Sequence, residues 1–159
     1  MHSNGNRAWP LLQVLGFATL LALLQTPAQA RLGGDATTIR DDSVRLHGQL
    51  ISTPMLQYER HDITTSAGGV IHEYQSRSGT VFAVTWQAPL PPDLRQIFGN
   101  YFETFRAAEA AQSRPGTHRQ AQVLQSDFVF RAAGRMRAFT GRAYVPSLVP
   151  AGVDADSLP

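Results

Sequence analysis

The chain has 159 residues, with 14 cations, 12 anions and no cysteine. That length supports one domain with its own hydrophobic core, and the lack of cysteine excludes disulfides, thiol nucleophiles and thiolate metal sites. Every cation is Arg, yet none forms a basic run and the net charge stays near zero. A general nucleic-acid binder is therefore not expected.

Residues 1–30 have the three zones of a cleavable secretory leader. A polar start carries Arg7, an apolar run follows from Leu11 to Leu24, and Ala28-Gln29-Ala30 supplies small residues for cleavage. A spanning helix needs about 20 apolar residues, and this run of 14 falls short. The expected product starts at Arg31, carries a charge of +1 once Arg7 is lost, and keeps no stable transmembrane segment. Its expected location is the periplasm or the surrounding medium.

Residues 31–54 show no sustained period and read as an extended or poorly ordered lead-in. A single domain is expected over residues 55–146. Alternation over Gln57–Thr65, Val70–Gln75 and Thr80–Trp86, punctuated by Gly-containing turns, predicts a three-stranded meander. On the third strand Phe82, Val84 and Trp86 are expected to share one face. Pro89, Pro91 and Pro92 end the sheet, and Asp93 is placed to cap a helix. Leu94, Ile97, Phe98, Tyr101, Phe102 and Phe105 follow helical spacing and form one apolar stripe. Pro115-Gly116 is expected to stop this helix. A second hairpin is expected over Gln120–Arg131 and Arg135–Val145, turning at Ala132-Ala133-Gly134. Residues 147–159 read as a flexible tail. The order β-β-β-α-β-β makes this an α+β fold, an antiparallel sheet with one amphipathic helix packed on it.

Three stretches also resemble a known family. They are Gly79–Trp86 with Pro92–Arg95 and Gly99–Phe102, then Met136–Pro146 with Val149–Val153, and the early Leu32-Gly33-Gly34. In these the chain is similar to exported bacterial proteins grouped as domain of unknown function 2844. The resemblance covers nearly the whole mature chain. It implies an exported proteobacterial product and brings no activity, ligand or catalytic residue.

Chemistry-bearing patterns are sparse. His61-Asp62 and His72-Glu73 invite a metal reading, but HxH and HExxH spacings are missing, and no metal or other cofactor is expected. No G-x-S-x-G elbow is present, Ser66, Ser76 and Ser78 fall in predicted turns, and the Gly-Gly pairs lack the Lys of a phosphate loop. No catalytic residue is assigned. The one local charge concentration is Arg131, Arg135, Arg137 and Arg142, a candidate contact for an anionic partner. The expected role is a non-catalytic binding or accessory module of the bacterial envelope, with an envelope protein, a peptide or a glycan as partner. The alternative is a small secreted hydrolase without a recognisable motif.

Overall fold

Period-two alternation punctuated by turn residues produces strands, and these strands form one sheet. In the computed structural model, which describes residues 32–111 and 120–159, the chain runs α1 (Ala36–Arg45), β1 (Gln49–Pro54), β2 (Tyr58–Thr64), β3 (Val70–Ser76) and β4 (Val81–Ala88). It continues through α2 (Leu94–Phe98), a single 3-10 turn at Gly99–Tyr101, and α3 (Phe102–Ala111). Then come β5 (Gln120–Gln125), β6 (Phe128–Arg135), β7 (Ala138–Tyr144) and a last 3-10 turn at Pro146–Leu148. The expected leader over residues 1–30, the helix stop at Pro115-Gly116 and His118 lie outside the described residues. Among the described residues, seven strands form one sheet in the order β1-β2-β3-β4-β7-β6-β5. Every neighbouring pair is antiparallel. This is the expected α+β class. No helix among the described residues is long and apolar enough to cross a membrane.

The helices cover one face of the sheet. Phe98 is fully buried at their centre, with its ring 5.2–5.4 Å from those of Phe105, Phe128 and Phe130. Ile39, Ile63, Val84, Trp86, Ala143 and Val145 complete this core. A second, smaller cluster lies across the sheet, where Tyr74, Phe82 and Ala83 meet Ala155 and Leu158.

Several local expectations need correction. The lead-in is ordered: Gly33 N donates to Val81 O and Val81 N to Gly34 O, each at 2.8 Å, which ties the segment to β4. Asp35 then caps α1 by accepting from Thr37 N and Thr38 N. The helix escaped notice because the face it buries includes Thr38, Asp42 and Ser43, so no apolar stripe exists.

The single long helix is two helices and a 3-10 turn. Gly99 takes φ 50 and ψ −117, a conformation that favours glycine and breaks the helical path. The second hairpin is a three-stranded meander, with turns at Ser126-Asp127 and Met136-Arg137; Ala132-Ala133-Gly134 lies inside β6. A bulge opposite Tyr74 and Gln75 shifts the register of β4. It sends Phe82 to the second cluster, away from Val84 and Trp86. The tail is packed down, with Ala155 and Leu158 buried.

Candidate functional site

The face without helices carries most of the polar side chains that sequence reading singled out. Cross-strand register aligns Asp62 with His72, His72 with Thr85, Thr85 with Arg142, Arg142 with Arg131, and Arg131 with Gln122. Since side chains on one strand alternate between faces, these directly opposed residues form one row across β2 to β5. A groove of about 640 Å³ runs along it, reached by His72, Thr85, Gln87, Arg131, Thr140 and Arg142. One wall is the final segment of the chain.

Two pairings give the row its chemistry. His72 Nδ1 lies 2.6 Å from Asp62 Oδ1, and Arg60 Nη2 donates to Asp62 Oδ2 at 2.9 Å. A carboxylate accepts, so Nδ1 is the donor of this pair. Farther along, Arg131 and Arg142 sit directly opposite each other on β6 and β7. Like charges in that position repel. Asp156 answers both: its carboxylate accepts from Arg131 Nη1 at 2.5 Å, and its backbone carbonyl accepts from Arg142 Nη1. Three residues on, Pro159 O accepts from Tyr74 OH at 2.5 Å and from Thr85 Oγ1 at 2.6 Å. Burial pushes the Tyr74 hydroxyl pKa up, so it stays a donor across the physiological range.

The structure brings two of the four Arg candidates together. Arg131 and Arg142 are neighbours, and Arg135 lies four residues along β6 on the same exposed face. Arg137 occupies the turn beyond, with φ 63. Arg135 therefore flanks the Met136-Arg137 turn, while Arg131 lies back in the strand.

The paired histidine motifs separate in space. His61 and Glu73 point to the helix-covered face and Asp62 and His72 to the groove, because adjacent strand residues face opposite ways. His61 is buried, with Nδ1 2.7 Å from Ser52 Oγ and Nε2 3.4 Å from Gln75 Oε1. Among the described residues no cluster of three or more His, Cys, Asp or Glu could hold a metal ion.

Sequence reading missed Asp156, which it assigned to a tail, and the Asp62–His72 pair. Only knowledge of the β2–β3 register would have revealed the latter. It also missed the carboxyl pair of Asp42 and Glu73, both buried, beneath α1.

No curated protein and no solved structure matches the chain. A family model described as "Protein of unknown function (DUF2844)" matches residues 28–158. With that match covering every strand of the sheet, the chain belongs to the DUF2844 family.

Proposed function

We propose that the protein is an exported binding module of the bacterial envelope, and that its groove takes an acidic peptide segment of a partner protein. The observation that carries this reading is the docking of Asp156. A turn of the final segment, closed by Ser157 N donating to Asp154 O, lies on this face and satisfies Arg131 with a carboxylate and Arg142 with a carbonyl. The groove already holds the chemistry it would recognise. Past Arg131, the same face continues through Ala133 and Thr140 to Arg135, which gives a second anion a guanidinium to meet. The leader over residues 1–30, with its short apolar run before Ala28-Gln29-Ala30, supports export and cleavage after Ala30.

The test is fluorescence anisotropy with labelled hexaglutamate, and hexalysine as control. Hexaglutamate binds, weakens several-fold as salt rises, and is lost when Arg131 and Arg135 are both changed to Gln. If the folded double variant binds as the wild type does at low and moderate salt, the groove is a solvated surface and the reading fails.

The Asp62–His72 pair supports a second reading, a small secreted hydrolase. That reading requires hydrolysis of a generic ester or phosphate ester that disappears in His72→Ala. Thr85, the hydroxyl facing His72 across the strands, already donates to Pro159 O, which favours the binding module.

A further inference from the structure

On the other side of the sheet, α1, β3 and the Ala88–Asp93 loop enclose a cavity of about 330 Å³. Its walls are apolar, built by Leu46, Ile71, Leu90 and Ile97 together with the prolines of the loop. Two carboxyls from distant parts of the sequence line it, Asp42 of α1 and Glu73 of β3. Both are 2 % exposed. Gln96 Nε2 donates to Asp42 Oδ1 at 3.1 Å. Glu73 Oε2 is buried and has no hydrogen-bond partner among the described residues. A carboxyl oxygen left without a partner is costly when buried, and in the ionised form of Glu73 a donor in the cavity would satisfy it. The cavity beside it is large enough to hold one.

We infer that this cavity binds a small primary amine with an apolar body, its ammonium meeting Glu73 and Asp42 and its hydrocarbon part lying against the aliphatic and proline walls. An ammonium brings three donors and a compensating charge to two adjacent carboxyls. A hydroxyl brings one donor and no charge. The charged groups around Glu73 agree with a cationic guest. α1 contributes Asp42 and Arg45, the cap of α2 contributes Asp93, and β2 contributes His61, which is engaged with Ser52 and Gln75. With the acids outnumbering Arg45, the local balance is negative. Burial, then the neighbouring Asp42 charge and a side-chain hydrogen bond shared with Asp42, push the Glu73 carboxyl up to about 8. It is therefore protonated at neutral pH, and an arriving ammonium takes the place of that proton, which leaves to solvent.

The experiment is calorimetric titration of the purified protein with n-butylamine, n-butanol and butyrate, which share one apolar body. Butylamine binds at least about tenfold tighter than either analogue and releases a proton, read as a heat that varies with the buffer's ionisation enthalpy. Its affinity rises about tenfold per pH unit from 6 toward 8 and levels above, since the amine stays charged while Glu73 gives up its proton. Glu73→Gln removes the binding and the pH dependence together. Equal affinity for amine and alcohol, a flat pH profile, or no amine binding would each overturn the inference and leave a solvent-filled cavity. The wild-type pH profile decides the question even if the Glu73→Gln variant fails to fold.

Discussion

Gly141 of β7 lies directly opposite Trp86 of β4, and the indole ring covers the glycine so closely that a Cβ there would sit 2.3 Å from Trp86 Cζ2. Trp86 in turn stacks on Phe130 at 6.1 Å. The glycine makes room for the largest ring of the core. Gly141→Ala must displace that ring, an overpacking that costs about 1–3 kcal/mol. Urea unfolding of the variant checks it, with a lowered midpoint expected at an unchanged slope.

Phe98 and Phe102 belong to one apolar stripe in the sequence but differ in the fold. Phe98 is fully buried among four rings, whereas Phe102 is half-buried with the Arg95 guanidinium 4.4 Å above its ring. Phe98→Ala is expected to cost about 3–5 kcal/mol. Phe102→Ala costs clearly less, because its ring already shares its surface with water. Thermal melts of the two variants order them.

Stability should depend on pH through Glu73. Below the usual carboxyl value of 4.5 the side chain holds its proton in both folded and unfolded chains, and nothing is lost. Between 4.5 and about 8 the unfolded chain releases the proton while the folded chain keeps it. The slope approaches 1.4 kcal/mol per pH unit for one such group. This contribution falls as pH rises through that window and is flat above it. Chemical denaturation at several pH values measures it, and Glu73→Gln should remove this component of the slope.

Arg137 turns the β6–β7 hairpin at φ 63, a left-handed conformation that costs a side-chain-bearing residue roughly 1–2 kcal/mol. Glycine adopts it freely, although it loses more chain entropy on folding. Arg137→Gly is expected to raise stability by up to about 1 kcal/mol, measured by denaturant midpoint.

The elements that were legible in the sequence are those whose stabilising contacts are local. β2, β3 and β4 announce themselves by alternation and by intervening Gly turns, and α2 by its Asp93 cap. α1 was hidden because the partner of its inward face is partly polar, Asp42 meeting Gln96 and Glu73 across long separations. The final segment was hidden for a similar reason. Its anchors are Arg131, Tyr74 and Thr85, and nothing within residues 147–159 advertises them. The Arg cluster was visible as composition. That Arg131 and Arg142 would share one row with His72 and Thr85 depends on strand order, which no local pattern encodes.

The strand order also sets a timetable for folding. β4 lies at the centre of the sheet, yet one of its neighbours is β7, the last strand made. Local contacts can assemble β1 to β4 early, but the inner edge of β4 then waits for Ala138–Tyr144 to close a long loop. During that wait Val84 and Trp86 lack the Phe130 and Ala143 side of their core, and an unpaired row of backbone donors and acceptors faces outward. Such an edge is a template for pairing with another chain. Aggregation during synthesis or refolding should therefore begin at β4, and a chain cut short before Ala138 should be insoluble even though most of its core residues are present.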